Sequence, residues 1–233
     1  MDDRTSPAGE PLISAVDLKK RFGETIALDG VSVDLFGGEI VAVLGPSGSG
    51  KSTLLLCLAG ILPADEGDVR YRGRSLAQLS DATRTRLRRD EFGFVFQFGQ
   101  LVPELTAIDN ISLPLRLAGM HRRDAVARAQ TWLNTLGIEE VARKRTGEMS
   151  GGQAQRVAVA RALAPGPRVV FADEPTGSLD SMNGELVMEL LVSAARGQGT
   201  SVVLVTHEAR VAAYADREIV VRDGRIATRR VPA

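Results

Sequence analysis

The stretch Ile40-Val41-Ala42-Val43-Leu44-Gly45-Pro46-Ser47-Gly48-Ser49-Gly50-Lys51-Ser52 decides the fold. Its opening apolar run does not alternate, as expected of a strand buried on both faces of a helix-covered sheet. From Gly45 the residues match G-x-x-x-x-G-K-[ST]. The apolar residues beyond Ser52 continue as a helix to about Ile61. Strand, glycine-rich loop and helix in that order form a phosphate cradle. Glycines let backbone N–H groups turn inward, and the helix start adds partial positive charge. Lys51 then reaches the terminal phosphates, the Ser52 hydroxyl is a ligand for Mg²⁺, and Thr53 completes the cradle.

Further strands flank this core. Val31-Ser32-Val33-Asp34-Leu35 alternates with period two, and residues 12–44 as a whole read as strands. Gly93-Phe94-Val95-Phe96-Gln97 is a short strand candidate. Val169-Val170-Phe171-Ala172-Asp173 and Ser201-Val202-Val203-Leu204-Val205-Thr206 are apolar runs, separated by helical periodicity from Gly184 to Arg196. That alternation predicts an α/β sheet with crossover helices. Glu218 to Ala227 reads as a hairpin turning at Asp223-Gly224. Between about Thr106 and Leu163 the pattern is helical, with Asp124–Leu136 ended by Gly137 and Trp132 assigned to packing. The expected organisation is an α/β core of residues 12–97 and 164–233, interrupted by a helical part over 98–163.

Asp173 falls at the C-terminal end of its strand, where open α/β sheets bind ligands. It can hold Mg²⁺, and Glu174, one residue on, can act as general base toward an attacking water.

Composition narrows the classes of function. Of 233 residues 44% are hydrophobic, which suffices for a core. Lys+Arg and Asp+Glu both number 29, so no global charge draws the chain to nucleic acid or anionic lipid. The basic run Arg84, Arg86, Arg88, Arg89 reads as a solvated helix face. Cys57 is the single cysteine, within Leu54-Leu55-Leu56-Cys57-Leu58, and reads as a small buried hydrophobe in a reducing compartment. The polar start predicts a frayed tail over residues 1–11. No apolar run approaches the roughly 18 residues that span a bilayer. Any membrane role is therefore expected to be peripheral, through another chain.

Met149-Ser150-Gly151-Gly152-Gln153 opens the helical run Ala154 to Leu163. Ser150 and Gln153 have capping-box spacing. Two glycines in a first helical turn cost stability, and they leave room for a ligand at the N–H groups. Here the chain resembles the ATP-binding cassette family, whose hallmark pentapeptide usually has leucine where Met149 stands. Nearly the whole chain takes part. Gln97 matches the family's glutamine loop, Ser178-Leu179-Asp180 its aspartate loop and His207 its switch histidine. Phe22 stands where an adenine-stacking tyrosine is common.

The resemblance implies a P-loop NTPase core with an N-terminal antiparallel β subdomain and an inserted helical subdomain. It implies ATP and Mg²⁺ as cofactors and a homodimer in which each ATP is sandwiched. Gly45 to Thr53 of one copy would hold it against Ser150, Gly151, Gly152 and Gln153 of the other, with Asp180 at the same interface. Ser52, Gln97 and Asp173 would face Mg²⁺, Glu174 would activate water, and His207 would stabilise the transferring phosphate. An integral-membrane permease is the expected partner, docking at the apolar cluster Phe98, Leu101, Val102, Pro103 and Leu105. The location expected is cytoplasmic, on the inner face of the cell membrane. Glu174-Pro175-Thr176-Gly177-Ser178-Leu179-Asp180 is similar to the ATPases of lipoprotein release and of macrolide and antimicrobial-peptide export. The alternatives are a cell-division ATPase that controls wall hydrolysis, and a cassette acting on nucleic acid or the ribosome. No nucleic-acid partner is expected.

Overall fold

The computed structural model describes residues 9–230, and of 228–230 the backbone alone. Residues 1–8 of the expected tail lie outside the described residues. Contacts divide the chain into two compact units, residues up to 88 with those from 199 onward, and residues 89–198.

The first unit opens with β1 (Ile13–Phe22) and β2 (Thr25–Leu35), a long antiparallel hairpin. β3 (Ile40–Leu44) leads into α1 (Lys51–Leu58). β4 (Glu66–Tyr71) pairs antiparallel with β1 and carries the short β5 (Arg74–Ser75), giving the order β2-β1-β4-β5. α2 (Asp81–Glu91) follows and has no buried residue.

The second unit begins with β6 (Phe92–Phe96), then α3 (Ala107–Leu117), α4 (Arg122–Thr135) and α5 (Gly151–Leu163). β7 (Val169–Asp173) and α6 (Ser181–Gln198) complete it. β6 and β7 are parallel, with Phe96 opposite Asp173. Phe92, Phe94 and Phe171 cluster, one pair edge-to-face at 5.2 Å and another stacked at 5.6 Å. α3 is capped by Thr106, whose hydroxyl accepts from Asp109 N. The fully buried Asn110 side chain exchanges hydrogen bonds with Val102 N and O and donates to Leu105 O and Thr106 O. That one amide organises the turn before α3. In α4 the buried stripe is Ala125, Ala129 and Leu133, and Trp132 is half-buried beside it.

The chain returns to the first unit with β8 (Ser201–Thr206), the single-turn α7 (Ala209–Ala212), β9 (Arg217–Arg222) and β10 (Arg225–Arg230). β3 lies between β8 and β9, parallel to both, and β10 folds back antiparallel on β9. All six residues of β8 and the first four of β3 are buried, which accounts for their unbroken apolar runs. The return is tied at its start. Ser201 Oγ accepts from Gly38 N at 2.8 Å and donates to Phe36 O at 3.0 Å. Arg217 pairs with Glu39 at 2.8 Å, largely shielded from water, and Asp216 accepts from Ile40 N at 2.9 Å. The Asp223-Gly224 turn has both residues at positive φ, 48° and 72°, as a two-residue hairpin turn requires.

Cys57 is buried, and burial pushes its thiol up to about 11, which keeps it un-ionised and inert. Among the described residues no helix is long and apolar enough to cross a membrane.

Candidate functional site

In the first unit β3 delivers the chain to the glycine-rich loop. Leu44 pairs with Thr206, so Gly45 and His207 leave the sheet at the same end. Gly50 is the N-cap of α1 with φ 103°, a left-handed position, and an added Cβ there would collide with Ala27 O. The glycine cap gives α1 no side-chain acceptor, so the partial positive charge of the helix start is left without a built-in anion. Lys51, 7% exposed, folds back and donates from Nζ to Pro46 O at 2.9 Å, a bond exchangeable for one to phosphate. Ser49 Oγ is buried without a hydrogen-bond partner among the described residues. A loop with an uncapped helix start, a recessed ammonium and an orphaned hydroxyl donor fits a polyphosphate.

The loop is held from behind. Ser49 O accepts from Gly224 N at 3.0 Å, and Gly224 O accepts from Asp29 N at 2.8 Å. Arg225 pairs with Asp29 at 2.6 Å, and the guanidinium holds the Asp29 carboxyl below its usual range. Phe22 ends β1 opposite Thr25, with 52% of its surface exposed. It therefore sits on the hairpin whose β2 strand borders the loop at Ala27. Lys20 Nζ lies 5.8 Å from its ring centroid while pairing with Asp65 at 2.7 Å.

In the second unit the parallel pairing of Phe96 with Asp173 brings Gln97, Asp173 and Glu174 to one strand end. Glu174 has φ 47°, left-handed backbone that only a well-determined surrounding holds in a non-glycine residue. The Gln97 side chain lies over Gly177, where a Cβ would stand 2.8 Å from Nε2, and Ser178 Oγ donates to Gln97 O at 2.7 Å. Asp180 accepts from Asn183 N at 2.9 Å and from Asn183 Nδ2 at 2.7 Å, and these bonds depress its carboxyl.

At the start of α5 the capping box is present. Ser150 Oγ accepts from Gln153 N at 3.2 Å, and Gln153 Oε1 accepts from Ser150 N at 3.0 Å. The two glycines differ. Gly151 is exposed. Gly152 is buried, and a Cβ there would stand 2.8 Å from Asn183 Oδ1. Gly152 thus has a packing reason within its own chain, and Asn183 joins it to Asp180. The Asp180–Asn183 pair has the three-residue spacing of a helix cap, but nothing in the spacing pointed to the contact of Asn183 with Gly152, which is distant in sequence. Of the apolar cluster after Gln97, Phe98 is 76% exposed and Pro103 is exposed, whereas Leu101 is buried.

The fold and its loops can be set beside known proteins. The family model described as ABC transporter matches residues 28–177. The lipoprotein-releasing system ATP-binding protein LolD 2 of Caulobacter vibrioides is 43% identical over 91% of this chain and 93% of its own length. The macrolide export ATP-binding/permease protein MacB of Pasteurella multocida is 41% identical over 93% of this chain, which spans 34% of that larger protein. Two dimeric structures of the ATP-binding cassette MJ0796, one bound to ADP and Pi, superpose with TM-score 0.87 at 38% and 39% identity. Each comparison covers 94% of this chain and 98% of that one. The cbiO1 structure from Clostridium perfringens, described as part of the ABC transporter complex cbiONQ, gives 0.84 at 29% identity over 94% of this chain and 88% of its own. Phosphate loop, acid-ended strand and Ser-Gly-Gly-Gln helix, in a chain matched over most of its length, make it an ATPase cassette of the ABC transporter family, of the LolD and MacB type.

Proposed function

We propose that this cassette is the motor of a transporter whose membrane-spanning permease is a separate chain, and that it powers export or release of a lipoprotein, peptide or drug-like substrate. Its likeness to a lipoprotein-releasing ATP-binding protein over nearly the full length of both supports this reading. The observation that carries the ATP-driven part is the uncapped start of α1 with Lys51 recessed beside it.

In this reading the loop from Gly45 to Thr53 wraps the β and γ phosphates, with Lys51 as the neutralising charge. Phe22 offers a ring face to the adenine. Ser52, Asp173 and Gln97 are the oxygen-bearing side chains that would hold Mg²⁺. Such an ion would supply a charge that offsets that of the transferring phosphate. Glu174 takes the proton from the attacking water, and His207 donates to the phosphoryl oxygens. The dimeric relatives support a sandwich in which Ser150, Gly151, Gly152 and Gln153 of a second copy close over the γ phosphate, flanked by Asp180. ATP then holds two copies together until hydrolysis parts them, and the permease rides on that motion. The exposed ring of Phe98 is the candidate contact for a permease helix, and in this reading the cassette works peripherally at the membrane through that partner.

Glu174→Gln tests the cycle. Incubated with ATP and Mg²⁺, it should elute from size exclusion as a dimer and hydrolyse roughly a hundredfold or more slowly. Wild-type turnover by this variant rules out the general-base assignment. Lys51→Ala should abolish ATP binding by calorimetry, and retained affinity removes the cradle. The permease reading is tested separately, because Phe98→Asp should reduce co-purification of the membrane partner.

A further inference from the structure

The loop after β6 is gripped through its backbone to an unusual degree. Gln155 Nε2, on a side chain only 2% exposed, donates to Phe96 O at 2.9 Å. Ser178 Oγ holds Gln97 O at 2.7 Å. Arg161, also on α5, donates from one guanidinium nitrogen to Gly99 O and from the other to Gln100 O, both at 2.8 Å. Gly99 and Gln100 are consecutive left-handed residues, with φ 67° and 44°. That geometry turns two successive carbonyls toward the same helix, and for Gln100 it is strained. The result is a tight bend, closed by Gly99 N to Phe96 O at 2.9 Å, with the Gln97 and Phe98 side chains projecting from it.

We propose that Arg161 is a positioning residue for hydrolysis: its planar fork pins the bend at Gly99 and Gln100 and thereby fixes where Gln97 presents its amide. The proposal rests on the assignment of Gln97 to the hydrolytic site. The chemistry is specific to arginine. A guanidinium spans two acceptors at fixed separation, whereas a lysine ammonium is a point charge that satisfies one well. The cation is desolvated, which lowers its pKa from the ordinary arginine value, so its bonds to the two carbonyls compensate burial that would otherwise be costly. Replacing it leaves the strained bend to its own short-range backbone bonds, Gly99 N to Phe96 O and Gln100 N to Phe98 O.

The test uses the purified full chain with MgATP and combines steady-state kinetics with amide hydrogen exchange. Arg161→Met should lower kcat by about tenfold to a hundredfold, the scale of a misplaced reacting group, and leave KM within about twofold. Exchange of the amides in residues 97–101 should accelerate while that of β7 stays slow. Arg161→Lys should fall between this variant and the parent, and it carries the comparison if the methionine variant does not fold. In a Gln97→Ala background Arg161→Met should change kcat by less than about twofold, because the group it positions is gone. An equal loss with and without Gln97, or unchanged exchange in 97–101, overturns the proposal. If Gln97→Ala itself turns over like the parent, the Gln97 assignment fails and takes the positioning role with it. A slow Gln97→Ala beside a fast Arg161→Met sinks the positioning role alone.

Discussion

Glu174 and Gly152 show how much a single backbone position settles. Glu174 adopts a left-handed φ where the chain turns at the end of β7, immediately after Asp173. Gly152 faces Asn183, itself locked by both carboxylate oxygens of Asp180. Gly152→Ala should therefore fail to give the gain of about 1 kcal/mol expected of alanine in a helix. It should instead destabilise by about 1–3 kcal/mol as the amide is displaced. In an Asn183→Ala background the same change should stabilise, so thermal melts of the four proteins decide whether the contact is real. The acid pair and the phosphate loop were legible in the sequence because each lies within a few consecutive residues. Gln155, Arg161 and the contact of Asn183 with Gly152 were not, because their roles arise from carbonyls and side chains that only folding brings near.

Among the elements, β3, β7 and β8 could be read directly: strands buried on both faces leave unbroken apolar runs. β4 could not. Its sequence, Glu66 to Tyr71, is mostly polar, and it is a strand because β1 supplies a register for it. α2 buries nothing, so no apolar stripe marks it, and its arginines serve locally. Arg88 donates to Gly60 O at 2.8 Å, and Arg84 pairs with Asp81. α5 announces its own start through the Ser150 capping box. Ser150→Ala should cost about 1 kcal/mol of stability in chemical denaturation, the usual worth of a cap. If Ser150 also meets the γ phosphate of a partner copy, ATP-dependent dimerisation should weaken beyond what that loss explains.

Across the whole molecule, charge placement sets the response to acid. The carboxyls of Asp29, Asp65 and Asp180 are depressed by bonds to Arg225, Lys20 and Asn183 respectively. A depressed carboxyl contributes stability that is complete above its unfolded pKa of about 3.9 and is lost as pH falls through the lower folded value. Melting temperature should thus hold steady through neutral pH and drop below about pH 4, and Asp65→Asn should blunt that drop. The β9–β10 turn has a bearing on biosynthesis. Gly224 N holds Ser49 O, and Val221 O backs Gly45, so the loop is buttressed by residues translated long after it. A nascent chain that has not yet emerged as far as β9 and β10 has its glycines in order but lacks this support, and it should not take up ATP until that hairpin has folded home.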